Sequence, residues 1–85
     1  MTLEELKEEY GERNVFHNQF ELGKFVQEYG IRKKIKFISE RYPNELIAKD
    51  NEVLYDLAEY LLNKGFAFFN DGYYIIEDLE DLKNL

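Results

Sequence analysis

The sequence predicts a small α+β domain in which three to five helices precede a C-terminal β-hairpin. Three observations carry that prediction. Apolar residues recur on one helical face between Asn51 and Lys64, and Gly65 follows as a stop. Two aromatic-rich runs, residues 66–69 and 73–76, flank Asn70-Asp71-Gly72, the composition of a tight hairpin turn. The chain has 85 residues, room for one core and not for two, so residues 1–85 form a single domain. An apolar share of 45% is enough for a packed interior and sets the chain apart from disordered sequences.

Taken in order, Thr2 and Glu5 have capping-box spacing, which starts a first helix with Leu3, Leu6 and Tyr10 on a thin apolar stripe and Gly11 as its stop. Glu4, Glu5, Glu8 and Glu9 form its solvated face. Residues 12–17 read as a connection with a short strand around Val15 and Phe16. Asn18 and Glu21 repeat the capping spacing, and Leu22, Phe25, Val26 and Tyr29 then share one helical face. Gly23 weakens this helix by about 1 kcal/mol relative to alanine, and Gly30 is expected to end or kink it.

Residues 31–42 admit two readings. Ile31, Ile35, Ile38 and Tyr42 align on a helical face ahead of Pro43, which favours a helix. Arg32, Lys33, Lys34 and Lys36 would then crowd the positive end of its dipole, and residues 35–39 could instead form a short strand. The helix is favoured. Pro43-Asn44 reads as a turn and residues 45–49 as one helical turn leading into the central helix.

In that helix Val53, Leu54, Leu57, Ala58, Leu61 and Leu62 face one side; Glu52, Asp56, Glu59 and Asn63 face the other, and Tyr55 and Tyr60 stand on the borders. Asp50 or Asn51 can cap its first turn. The hairpin that follows admits a two-residue loop or a three-residue loop with a bulge, and these place opposite side chains on each face. In either register both faces are apolar, so the hairpin is either covered on both sides or leaves one face sticky. Leu79, Leu82 and Leu85 among acidic residues predict a final short helix, frayed at its end.

Net charge is −7, unevenly spread. Residues 1–30 carry three basic and seven acidic groups, residues 31–50 six and three, and residues 51–85 two and eight. Overall acidity argues against a general polyanion binder, because nucleic-acid affinity rests on neutralising phosphates, and it favours basic partners. There is no cysteine, hence no disulfide framework, thiolate metal site or thiol nucleophile. His17, Ser39 and Thr2 are each the only residue of their kind, so neither a Ser-His-Asp arrangement nor a histidine-rich zinc site is indicated. The five glycines form no phosphate-cradling loop and the carboxylates no calcium loop. The expectation is a non-enzyme with no cofactor and no metal. Without a signal pattern or an apolar run of membrane-span length, its expected place is the cytoplasm, away from membranes.

Helix, Asn-Lys-Gly, strand, Asp-Gly turn, strand over residues 51–76 resembles the second half of a winged-helix domain. That resemblance implies that the central helix holds the recognition-helix position and that residues 70–72 tip the wing. Here the outward face carries Glu52, Asp56 and Glu59, which repel phosphates, and the turn carries Asp71 with no lysine or arginine. Basic residues 32–36, namely Arg32, Lys33, Lys34 and Lys36, are the alternative nucleic-acid contact. The competing expectation is a protein-binding module, with Glu52, Asp56 and Glu59 as a negative ridge, Tyr55 and Tyr60 as flanking aromatics, and Asp71 and Tyr73 on the hairpin. Plentiful Asn, Lys, Glu, Ile and Tyr, with small size and acidity, resemble phage-encoded proteins that inhibit host enzymes or defence systems. Such a ridge can stand in for phosphates before a nucleic-acid-binding protein. A homodimer is expected if one hairpin face is uncovered.

Overall fold

A computed structural model describes residues 2–41 and 51–85 of the chain. Along them run α1 (Leu3–Tyr10), β1 (Val15–Phe16), α2 (Gln19–Arg32), α3 (Lys36–Arg41), α4 (Asn51–Lys64), β2 (Phe68–Asn70), β3 (Tyr73–Ile75) and a terminal 3₁₀ helix, Leu79–Asn84. The domain is α+β with the hairpin at its C-terminal end. The expected turn at Pro43-Asn44, the helical turn over 45–49, Tyr42 and the Asp50 cap lie outside the described residues.

Side chains set the helix starts by accepting backbone N–H groups that have no partner within the first turn. At α1 the Thr2 hydroxyl accepts from the Glu5 N–H at 3.2 Å, and the Glu5 carboxylate accepts from the Thr2 N–H at 3.4 Å, closing the capping box. At α2 Asn18 Oδ1 accepts from the Glu21 N–H at 2.8 Å, while Glu21 reaches one residue further back and accepts from the His17 N–H at 3.0 Å. At the end of α4 the Gly65 N–H donates to the Leu62 carbonyl and the Phe66 N–H to the Leu61 carbonyl, the paired bonds of a Schellman stop.

The end of α2 corrects two expectations. Gly30 does not end the helix, which runs on to Arg32. Its missing Cβ is what lets α3 approach: a Cβ there would stand 2.3 Å from Ile38 Cγ1. The single helix over 31–42 is also absent. Ile31 belongs to α2, the chain reverses at residues 33–35, and α3 begins at Lys36. The Ile35 N–H donates to the Gly30 carbonyl and the Lys34 N–H to Ile31, a second Schellman stop, with Lys34 at φ +55°. The break removes the dipole objection for Arg32 and Lys33 and leaves it for Lys36, the first residue of α3, which has no acidic residue in its first turn. Arg32 and Lys33 lie at the negative end of α2, where cations are favoured. The alternative strand over 35–39 is excluded, since residues 36–41 are helical.

The sheet has strand order β1-β3-β2 and is antiparallel throughout. Asn70 pairs with Tyr73, so the loop has two residues, Asp71 (φ +52°) and Gly72 (φ +86°). Positive φ at both positions is the type I′ hairpin turn, whose twist matches the strands. β1 pairs Val15 with Ile75 and Phe16 with Tyr74. Beyond the ladder, the Ile76 N–H donates to the Asn14 carbonyl at 2.9 Å, and buried Asn14 donates through Nδ2 to the Ile76 carbonyl at 2.6 Å.

Alternation along β1 and β3 divides the interior in two. Val15 and Ile75 turn toward α1, packing with Leu6 and with half-buried Leu3, Tyr10, Phe68 and Tyr73. Phe16, Tyr74 and Ile76 turn toward the main core, where Leu22, Val26 and Tyr29 of α2 meet Leu57, Ala58 and Leu61 of α4 and Ile38 of α3. Helices α2 and α4 lie against each other closely enough that a Cβ on Gly23 would stand 2.1 Å from the Leu54 carbonyl oxygen. The C-terminal segment is a 3₁₀ rather than an α-helix: Asp78 caps it by accepting from the Glu80 N–H, and Leu82 is fully buried in the main core.

Candidate interaction surface

The outward side of α4 follows from its inward one. Leu54, Leu57, Ala58 and Leu61 are all buried to within 1% exposure, so residues half a turn away must face solvent. Glu52, Asp56, Glu59 and Asn63 do so. With a rise of about 1.5 Å per residue, Glu52 and Asp56 are about 6 Å apart along the axis and Asp56 and Glu59 about 4.5 Å. Glu52 lies in the first turn of α4, where negative charge is favoured by the dipole. Among the described residues Asp56 and Glu59 take part in no ion pair; the pair formed by the basic segment is Lys36–Glu40 at 3.9 Å, between two exposed side chains of α3. The cations of residues 32–36 therefore leave Asp56 and Glu59 unneutralised.

The aromatic residues of the expected surface separate into two kinds. Tyr55 stands among the carboxylates of α4 and is 43% exposed, a large apolar surface open to a partner. Tyr60 is half-buried and stacked on Phe37 of α3, with ring centroids 4.7 Å apart and planes 20° apart. The Lys64 ammonium lies over Tyr60 and the Arg41 guanidinium over Phe37, at 5.8 and 5.7 Å from the centroids. Tyr60 thus joins α4 to α3. Tyr73 is half-buried as well: its ring meets His17 edge-on at 5.5 Å and packs into the α1-side cluster. Asp71 is exposed at the hairpin turn. Four of the expected residues, Glu52, Tyr55, Asp56 and Glu59, share one helix face, and Asp71 and Tyr73 belong to the separate hairpin.

A further residue belongs with the exposed aromatics. Phe69 is 60% exposed beside the turn, its ring tilted against Tyr74 at 5.0 Å. Its signal in the sequence is the aromatic run before Asp-Gly, but only the two-residue register decides that Phe69 and Tyr74 lie opposite each other.

Arg32, Lys33, Lys34 and Lys36 are all exposed where α2 gives way to α3. The Arg32 guanidinium lies 5.6 Å from the Tyr29 centroid, and Tyr29 stacks on Phe25, which Arg13 covers at 5.7 Å. This makes a cation–ring–ring–cation series in which α2 supplies Arg32, Tyr29 and Phe25 and the turn after α1 supplies Arg13. Among the described residues no group of three His, Cys, Asp or Glu side chains could hold a metal ion, and no helix is long and apolar enough to cross a membrane. No protein-family model, no curated protein and no solved structure matches this chain.

Proposed function

We propose that this protein is a non-catalytic, acidic protein-binding module whose partner presents a basic surface to α4. The observation that carries the reading is the solvent-facing line Glu52, Asp56, Glu59 around exposed Tyr55. Carboxylates guide a basic partner into place, and a rigid aromatic supplies apolar contact once water is excluded. The Coulomb attraction of an ion pair at 4 Å is about 1 kcal/mol in water and about 4 kcal/mol at a partly desolvated interface, and desolvation offsets part of it. Two or three such pairs plus a buried tyrosine support specific binding. In the finer form of this proposal the ridge stands in for phosphates, and the protein is a phage or mobile-element inhibitor of a host nucleic-acid-binding or defence protein. It acts in the cytoplasm, without a cofactor.

The test is retention of a partner from bacterial lysate by the immobilised chain, with Glu52→Lys/Asp56→Lys as the matched control. A protein with a basic surface that binds the wild type and is lost from the variant supports the reading. Equal retention by both sinks it. Both substituted side chains are exposed, so the circular-dichroism spectrum should stay that of the folded chain, while the melting temperature should fall by a few degrees because Glu52→Lys puts a cation at the positive end of the α4 dipole.

The alternative is a winged-helix-like regulator that contacts DNA through residues 32–36. The order α4, β2, β3 and the exposed group Arg32, Lys33, Lys34 and Lys36 favour it. Duplex binding that falls steeply with salt, and vanishes when Lys33, Lys34 and Lys36 become Gln, would select it.

A further inference from the structure

The reversal after α2 forms a cleft as well as a connection. Lys34, in the left-handed conformation, turns the chain so that its neighbours Lys33 and Ile35 both line the same space. The terminal 3₁₀ helix supplies Leu79, Glu80 and Lys83, and Tyr29 completes the lining of a cleft of about 280 Å³. Tyr29 is a fixed wall, since its ring is held by stacking on Phe25 and by the Arg32 guanidinium.

Several features narrow what such a cleft can hold. A chain of net charge −7 repels small anions in general, yet Lys33 and Lys83 outnumber Glu80 in the lining of this cleft, and the Arg32 guanidinium lies over the Tyr29 ring. Lys33 and Lys83 are exposed, so they retain hydrated, mobile heads that can close on an oxyanion. Glu80 accepts hydrogen bonds only, so it selects a ligand that carries hydroxyl or amine donors as well as the anion. Ile35 and Leu79 offer an apolar surface for a short carbon skeleton. At about 30 Å³ per water, the volume equals roughly nine waters, room for a small molecule.

We propose that this cleft binds a small phosphate monoester bearing hydroxyl groups. Its phosphate accepts from Lys33 and Lys83, its hydroxyls donate to Glu80, and its carbon skeleton rests on Ile35 and Leu79. This site is separate from the outward face of α4 and does not depend on the protein-binding reading.

The experiment is a titration of the isotopically labelled full chain, followed by amide chemical shifts, with ribose 5-phosphate, inorganic phosphate and ribose as probes. Ribose 5-phosphate should give saturable shifts confined to residues 29–35 and 79–83. Lys33→Gln/Lys83→Gln should weaken that binding about tenfold or more, the effect of losing a charge-assisted hydrogen bond, while the spectrum of the free variant stays that of the folded chain. Glu80→Gln removes a negative charge beside the phosphate, so it should strengthen inorganic phosphate and narrow the preference for ribose 5-phosphate over it. Ribose should cause no shifts. Inorganic phosphate binding as tightly as the sugar phosphate would overturn the monoester assignment. Unsaturable shifts at lysines across the surface, or unchanged affinity in the double variant, would overturn the site itself.

Discussion

Lys34 sits at φ +55°, where a side chain with a Cβ is disfavoured, and it does so because the Schellman bonds to Gly30 and Ile31 require that conformation. Glycine should relieve the strain. Lys34→Gly is expected to raise stability by about 1 kcal/mol, or about 4–8 °C in melting temperature for a domain of this size. Lys34→Ala, which keeps the Cβ, should change it little. Thermal melts of the two variants check this. At Tyr10, burial in the α1-side cluster raises the phenol above its ordinary value of 10.0, helped by the Glu9 and Glu77 charges and a hydrogen bond to Glu9. A phenol whose folded value is raised contributes fully below the unfolded value and loses that contribution as pH climbs through the folded one. Stability should therefore fall as alkalinity passes about pH 10, and Tyr10→Phe should fall less steeply in urea melts across that range. Asn14 is a third residue whose role is local and exact in geometry. Its side-chain bond to the Ile76 carbonyl satisfies a buried acceptor beyond the last strand pair.

Among the elements, α2 and its two partners show how glycine is used for contact. A Cβ at Gly23 would meet the Leu54 backbone of α4, and one at Gly30 would meet the Ile38 side chain of α3. Alanine at Gly23 gains about 1 kcal/mol in helix propensity, but it must push two helices apart. Overpacking of that kind costs about 1–3 kcal/mol and occasionally more. Gly23→Ala is expected to destabilise the domain on balance, and more than Gly30→Ala, because a carbonyl on a helix backbone yields less than an isoleucine on a short helix. Chemical denaturation of both variants measures the difference. The hairpin is also decided at this scale. Two residues in the turn set Phe68 against Ile75 and Phe69 against Tyr74, so Phe68 packs toward α1 while Phe69 stays largely in solvent.

For the whole molecule, segregation of charge is the governing feature. An acidic α4 face and a basic reversal after α2 occur in one small domain with a Cα radius of gyration of 12.4 Å. With a screening length of about 8 Å at physiological salt, each face acts on its own neighbourhood. Association through α4 should therefore slow as salt rises, with a smaller effect on dissociation. Stopped-flow association at several salt concentrations tests this once a partner is in hand. The sheet packs against α1 on one face and against the main core on the other, which leaves Phe69 as the exposed apolar group of the hairpin. A single exposed ring is a small surface beside the interfaces of stable dimers. The chain is expected to sediment as a monomer; a concentration-dependent dimer that Phe69→Ser abolishes would assign the hairpin tip to self-association.

Most elements were legible because their signals are short-range. Thr2 with Glu5, Asn18 with Glu21, the apolar spacing of 53–62 and Asp71-Gly72 each act within a few residues, and each does in the fold what local chemistry requires. The exposed carboxylate line on α4 was legible for the same reason, since one helix places all of its members. Tertiary contact decided the rest. Gly30 looks like a stop until Ile38 fills the space above it, and the periodicity of Ile31, Ile35 and Ile38 survives a chain reversal because all three pack toward one core. The hairpin register, the pairing of Val15–Phe16 with β3, the stacking of Tyr60 on Phe37 and the cleft between Lys33 and Lys83 join residues distant in the chain. Local pattern shows which side of an element is apolar; only the packed whole determines what that side meets.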